Sequence, residues 1–398
     1  MATHLLLSLL GTETQARRIA GRMTADEWQS LFDEAVYHEL EPILHWRFEQ
    51  IGVVLPDAVR RLLEERTGVH ALRSRLLLVE LGDLLRALAG AGVPVILLKG
   101  AALAAGVYPD PALRSMGDID LLVRERDLPR ARDAAIRLGY RPEGEAAEHH
   151  LPPLRRPGAT MVELHSHIES PSAPFRIDTE GLWERAQTIR TADCEARTLC
   201  AEDLLLHLCL HLSYHHRFGL GRAEGMDLKH LYDIVVLLER GSINWGIAAA
   251  RAREWRADRY VYVVLRVVQR LFGTRVSADV MALFGHSPAD VRVANHVSAS
   301  VLHRPDTAAR QYRKLRNHGS AREGIAYLRS VYRAEYEAAH DGQQRMSTLR
   351  AVLGLSGRLM RRLPAYARAA AGLMLGTRRA RAAGVRMNAR EAVAAWIR

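Results

Sequence analysis

The chain has 398 residues and a mass of 44.5 kDa, long enough for two or three domains with a substantial core. Hydrophobic residues make up 48% and charged residues 25%, which excludes a disordered or fibrous chain. The cysteines Cys194, Cys200 and Cys209 have no CxxC spacing, which excludes a disulfide scaffold and a cysteine zinc cluster and points to a reducing cytoplasm.

The formal net charge of +11 is carried by the end of the chain, where residues 310–398 hold 19 Lys and Arg against 5 Asp and Glu. Lysine is rare, only Lys99, Lys229 and Lys314 among 56 basic residues. Each lysine is therefore an unusual choice, and lysine acts as a compact point charge at a phosphate where arginine acts as a fork.

The apolar run Leu5 to Leu10 has no preceding cationic region and is far shorter than the roughly 18 residues of a spanning helix, so neither an export signal nor a membrane span is expected. Thr24-Ala25-Asp26-Glu27 reads as a capping box opening a helix to Gln50, and Pro56-Asp57 opens another toward Thr67. Leu72, Leu76, Val79, Leu84, Leu85 and Leu88 keep near-helical spacing from Val69 to Leu88 and predict a helix ending at Gly90 and Gly92.

The period then changes. Val93 to Leu98 is short, wholly apolar and partly β-branched, which predicts a buried strand. Lys99-Gly100 leaves it, Ala101 to Val107 follows as a helix, and Gly117 to Val123 is a second strand. Leu128 to Leu138 is helical, and Thr160 to Ile168 alternates as a third strand. Helices are then predicted at Ala201 to Arg217, Met226 to Leu238 and Arg253 to Phe272, with an arginine-rich helical tail from Arg310. These elements divide the chain into an N-terminal helical region (1–92), an α/β core (93–195), a helical domain packing on the core (196–309) and a basic helical C-terminal region (310–398). The fold class is α+β, a small mixed-sheet core embedded in a mainly helical protein.

Asp118 and Asp120 are two apart on a predicted strand, so both carboxylates share one face while Ile119 and Leu121 take the other. Bare carboxylates side by side repel, and a divalent cation held by oxygen ligands relieves the repulsion. Eighteen residues upstream, Gly100 follows an apolar strand, where a missing side chain lets backbone N–H groups approach a phosphate; a plain strand-to-helix turn with Lys99 in solvent is the alternative. Glu163 and His165 share a face of the third strand. If that strand neighbours the Asp118 strand, Glu163 completes a three-carboxylate site for two metals.

His207, His211 and His215 recur every four residues. A polar helix face lining the cleft or packing beneath it is the expected role, with His165, His211 and His215 as possible lining residues; zinc binding lacks an HExxH partner. Lys229 and Asp233 read as an i,i+4 surface pair. Leu349 to Leu375 with Arg358, Arg361, Arg362 and Arg368 is basic and amphipathic. Tyr366 is its only ring, so contact with an anionic lipid or protein surface is expected before nucleic acid.

Leu98-Lys99-Gly100, Tyr108, Arg114, Asp118-Ile119-Asp120-Leu121-Leu122-Val123 and Val162-Glu163-Leu164-His165 together resemble the polymerase-β-like nucleotidyltransferases, most closely the branch known as uncharacterised nucleotidyltransferases, over roughly residues 20 to 250. The resemblance implies a polymerase-β-like core and transfer of a nucleoside monophosphate from an NTP to an acceptor with release of pyrophosphate. It implies Mg²⁺, two ions, at Asp118, Asp120 and Glu163, with Glu163 also a base toward an acceptor hydroxyl, and nucleotide contacts at Lys99, Gly100, Ala101 and Arg114. The chain departs from the superfamily pattern twice: Gly100-Ala101 replaces Gly-Ser or Gly-Gly, and Glu163 replaces an Asp. A catalytically silent nucleotide- or peptide-binding module is thus a second reading, and a kinase-like phosphoryl transferase on the same metal site a third. The acceptor, a small molecule or a peptide, is not identified by any residue.

Overall fold

A computed structural model of the chain describes residues 2–216, 218, 228–273 and 276–301. The arginine-rich tail, Lys314 and the boundary at 309 lie outside the described residues. The helices that open the chain are α1 (Ala2–Leu10), α2 (Glu13–Ala20), α3 (Ala25–His38), α4 (Glu41–Gln50) and α5 (Asp57–Gly90). The core continues β1 (Ile96–Leu97), α6 (Lys99–Gly106), β2 (Asp118–Leu122), α7 (Leu128–Arg137), β3 (Arg141–Pro142), β4 (Leu154–Arg155), β5 (Met161–His165), α8 (Thr179–Arg185), β6 (Gln187–Thr191) and β7 (Cys194–Thr198). Then come α9 (Ala201–Leu210), a π-helical turn over His211–His215, α10 (Leu228–Arg240), α11 (Trp245–Glu254), α12 (Asp258–Phe272), α13 (Ala278–Ala282) and α14 (Pro288–Val301). None of the described helices is long and apolar enough to cross a membrane.

The capping box forms as predicted: Glu27 N–H donates to Thr24 Oγ1, and Thr24 N–H donates to Glu27 Oε2 at 2.8 Å. The single helix expected beyond it is two. Glu39 adopts φ 55°, and Pro42, which has no N–H to donate, sits in the first turn of α4. The two predicted helices from Pro56 to Leu88 are instead one, α5, of 34 residues.

The apolar positions that marked this helix divide between its surface and its buried face. Leu72, Leu76 and Val79 are exposed, whereas Leu77, Leu81, Leu84, Leu85 and Leu88 are buried with His70 and Ser74. The buried set itself runs at i, i+3 and i+4, with the polar His70 and Ser74 on that face in place of the apolar residues the pattern would show.

Seven strands form one mixed sheet in the order β3-β4-β5-β2-β1-β7-β6. Strand β1 runs antiparallel to β2 and parallel to β7, and β2 runs parallel to β5. Ile119, Leu121, Val162 and Leu164 are fully buried, the opposite face from the carboxylates. The β6–β7 hairpin was not predicted. Its turn residues Ala192 and Asp193 have φ 50° and 57°, a left-handed pair that usually carries an Asn-Gly or Asp-Gly signal and here does not. Strand β7 runs to Thr198, so the sheet passes a few residues beyond the boundary placed at 195.

Helix α10 is fastened to the loop that leads into β2. Arg114 donates from Nε to Asp233 Oδ1 at 2.6 Å and from Nη2 to Oδ2 at 2.7 Å, and Tyr108 Oη donates to Oδ1 at 2.9 Å. Lys229 Nζ donates to Glu39 Oε2 at 2.6 Å, and Ser115 Oγ donates to the same oxygen at 3.0 Å. The surface pair expected between Lys229 and Asp233 is therefore two separate buried or half-buried links that reach residues more than a hundred positions away. Breaking one partner of such a buried pair strands the other charge. Asp233→Ala should cost about 3–5 kcal/mol, read as a lower urea midpoint at unchanged slope, while Asp57→Ala, which removes a solvent-exposed pair with Arg60, should leave the midpoint where it is.

Candidate functional site

The register between β2 and β5 sets the site. Asp120 stands directly beside Glu163, and Asp118 beside Met161. Because side chains alternate on each strand, Asp118, Asp120, Glu163 and His165 all rise from the same face. The adjacency on which the three-carboxylate reading depended is present.

Asp120 is 2% exposed. Its Oδ1 accepts from Lys99 Nζ at 3.2 Å and lies 2.9 Å from His165 Nε2, which in turn is 3.3 Å from Glu163 Oε2. Burial alone would push the Asp120 carboxyl up; the Lys99 charge and the His165 contact outweigh it and hold the group well below the usual carboxylate range. Asp118 goes the other way, raised to about 6 by burial and by the neighbouring Asp120 charge. The hydrogen bond with His165 draws Glu163 down. Lys99 is half-buried and His165 buried, which disfavours their charged forms, yet the surrounding carboxylates raise both. The result is a cluster in which Lys99 and His165 stand between the acids.

Lys99 reaches this position from an unusual backbone, φ 44°, at the first residue of α6. A Cβ built on Gly100 would meet Met116 Cγ at 3.1 Å, so a larger residue there would press on the loop before β2. Gly100 and Ala101 are buried in the first turn of α6. There the backbone N–H groups have no intrahelical carbonyl to meet.

Residues 24–273 match the family model described as uncharacterised nucleotidyltransferase, a span that takes in the whole sheet, both aspartates, Glu163 and the α10 clamp. The chain belongs to this nucleotidyltransferase family. Two solved structures are also similar. The antibiotic-resistance factor ANT(2'')-Ia is 16% identical with a TM-score of 0.32, over 46% of this chain and 91% of that one. An antigenic nucleotidyltransferase-like protein from Paracoccidioides brasiliensis is 14% identical with a TM-score of 0.31, over 54% of this chain and 97% of that one. No curated protein matches the chain.

In this family member the structure distributes the expected site residues unevenly. Among the described residues, Asp120, Glu163 and His165 form the group whose ligand atoms all lie within 4.8 Å of one another. His165 thus enters the tight group, where sequence reasoning had placed Asp118 and left His165 as lining. Asp118 stays on the same face and feels Asp120, Lys99 and Glu163, one step nearer the open end of the strand. Arg114, expected at the nucleotide, has Nε and Nη2 turned to Asp233.

Two further groups escaped the sequence. Glu169, four residues past His165, is 3% exposed, has no partner for its buried Oε1, and is raised to about 7 by burial against the opposing pull of Lys99 and His165. His149 lies on a loop with no regular pattern, yet its ring is 5.5 Å from that of His165 and 5.6 Å from that of His215. Through it the helical histidines join the site: His215 stacks on His211 at 5.0 Å, and His211 lies 6.1 Å from His207. Among the described residues this row does not bring three ligand atoms together, and burial lowers the pKa of His149, His207 and His211.

His207 is fully buried and neither ring nitrogen has a hydrogen-bond partner; desolvation, then the nearby positive charges of Lys99 and His165, lower its pKa from 6.5 to about 3. Between those values the unfolded chain binds the proton more readily than the fold does. Stability therefore falls as pH drops through this window, by up to about 1.4 kcal/mol per pH unit for this one group. His207→Leu should flatten the acid limb of a plot of melting temperature against pH between 6.5 and 4 without lowering the value at pH 8, since it also removes two unpaired polar atoms. A variant profile that runs parallel to the wild type would contradict the assignment.

Proposed function

We propose that the protein is a Mg²⁺-dependent nucleotidyltransferase that moves an NMP from an NTP to a hydroxyl of a small molecule or peptide. The observation that carries this reading is the pairing of Asp120 with Glu163 on parallel strands, with Asp118 on the same face and Lys99 beside them at a helix start. The donor set fits a divalent cation: Asp120 and Glu163 bring carboxylate oxygens together with His165 Nε2, Asp118 stands on the same face, and carboxylate oxygens suit Mg²⁺. Asp118, Asp120 and Glu163 would hold the metal, two ions in this reading, which when bound lowers the pKa of the attacking hydroxyl and neutralises charge on the leaving pyrophosphate.

Lys99 serves the polyphosphate. Its Nζ is the cation that now balances Asp120, and an NTP arriving with its own counter-charge frees it to contact phosphate oxygens. Gly100 and Ala101 supply backbone N–H groups from the first turn of α6, where the helix end favours an anion. The acceptor oxygen attacks the α-phosphorus as the bond from that phosphorus to the β-phosphate oxygen breaks. The hydroxyl proton passes to Glu163 and then to solvent, and pyrophosphate leaves. Arg114 acts at one remove, fixing the loop ahead of Asp118 through Asp233. The free thiols of Cys194, Cys200 and Cys209 support a reducing, cytoplasmic setting, and the basic residues after 309 an anionic protein or lipid contact.

The test is pyrophosphate release by purified protein with Mg²⁺ and each of the four NTPs, against a panel of hydroxylated small molecules and peptides. Asp120→Asn should lower the rate by at least about 10³-fold, the several kcal/mol that metal stabilisation of the transition state contributes, without loss of folded signal by circular dichroism. Formation of NDP and a phosphorylated acceptor, or equal rates for wild type and variant, would overturn the reading.

A further inference from the structure

One of the three donors in the tight group at the site is a nitrogen, that of His165 beside the carboxylates of Asp120 and Glu163. We infer that His165 is a direct ligand of the metal through Nε2, and that the centre prefers a first-row transition cation of the Mn²⁺ kind over Mg²⁺. This rests on the nucleotidyl-transfer reading above and specifies which cation that site takes.

Three observations support it. His165 Nε2 lies 2.9 Å from Asp120 Oδ1 and 3.3 Å from Glu163 Oε2, so one imidazole nitrogen faces both carboxylates that would hold the ion. The three donors sit on adjacent, in-register strands, Glu163 beside Asp120 and His165 two residues further on the same face, so backbone hydrogen bonds rather than a mobile loop fix their spacing. His165 is 1% exposed, and no rotation into solvent would take the ring out of the site without opening the fold.

The chemistry then discriminates between cations. Mg²⁺ is small and hard, demands octahedral oxygen coordination and gives up its waters reluctantly. First-row transition ions accept imidazole nitrogen beside carboxylate oxygen. Ligation would use the neutral imidazole, with Nε2 toward the ion and the ring proton on Nδ1. That Nδ1 is buried with no hydrogen-bond partner, and so is Oε1 of Glu169.

The test is pulsed electron paramagnetic resonance of the full chain loaded with one equivalent of Mn²⁺ and a nonhydrolysable NTP, alongside calorimetric titration of Mn²⁺ and Mg²⁺. The wild-type spectrum should show hyperfine coupling to a ligating ¹⁴N. The coupling should disappear in His165→Gln and His165→Asn and persist in His149→Gln and His150→Gln, whose rings lie 5.5 and 5.2 Å from that of His165. Mn²⁺ affinity should fall by at least about tenfold in the His165 variants, the low end of what loss of even an outer-shell partner costs, while Mg²⁺ affinity changes less. Bound Mn²⁺ without nitrogen coupling in the wild type, or coupling lost with His149 or His150, overturns the inference even if both His165 variants fail to fold. If pyrophosphate release is intact at the same time, the nucleotidyl-transfer reading stands. Absence of both metal binding and turnover in the wild type overturns that reading as well.

Discussion

A buried carboxylate held ionised is the constraint around which this protein is arranged. Asp120 is almost wholly withdrawn from water, and an isolated carboxylate there would take up a proton rather than remain charged. It stays charged because Lys99 and His165 converge on one of its oxygens. That convergence depends on two features of the backbone. The parallel, in-register pairing of β2 with β5 brings Glu163 and His165 alongside Asp120. The left-handed turn at Lys99 brings the ammonium group in from the end of β1.

The helical part of the chain serves the same end by fixing the loop between α6 and β2. Asp233 on α10 takes both Arg114 and Tyr108, and Glu39, itself in a left-handed conformation at the end of α3, takes Lys229 and Ser115. Both links converge on residues 108–116, the segment that delivers the chain to Asp118. Buried pairs of this kind add little net stability relative to an apolar replacement, and their role here is to specify one loop position. A family match that begins at residue 24 and ends at residue 273 takes in this bracing together with the sheet, in keeping with helices and site acting as one unit.

Much of this was legible in the sequence, for physical reasons that also explain what was not. Asp118 and Asp120 flank Ile119 on a strand, and Met161 to His165 repeats that alternation, so period-two patterning revealed both carboxylate strands and the side each group faces. Short-range patterns carry such information; pairings across the fold do not. Nothing near Arg114 names Asp233, 119 residues away, so a cation beside a nucleotide motif was read as a nucleotide contact. The hairpin of β6 and β7 lacked its usual turn residues, and the leucines at 72 and 76 kept the helical spacing without sharing the buried face. His165 was seen on the correct face but assigned to the cleft wall, because its contact with Asp120 follows from strand register, and only pairing partners fix register. Glu169 gave no signal, since burial of a lone carboxyl after a strand end is a property of what packs over it.

The central claim, that Asp120 and Glu163 gather a cation and an NTP at one place, is tested most directly by anomalous diffraction from crystals soaked with Mn²⁺ and a nonhydrolysable NTP. The account predicts an anomalous peak bonded to Asp120 and Glu163 and to an α-phosphate oxygen, with Lys99 moved from Asp120 to the polyphosphate. Nucleotide bound away from β2 and β5, with Lys99 and His165 still holding Asp120 and no metal between the strands, would contradict it.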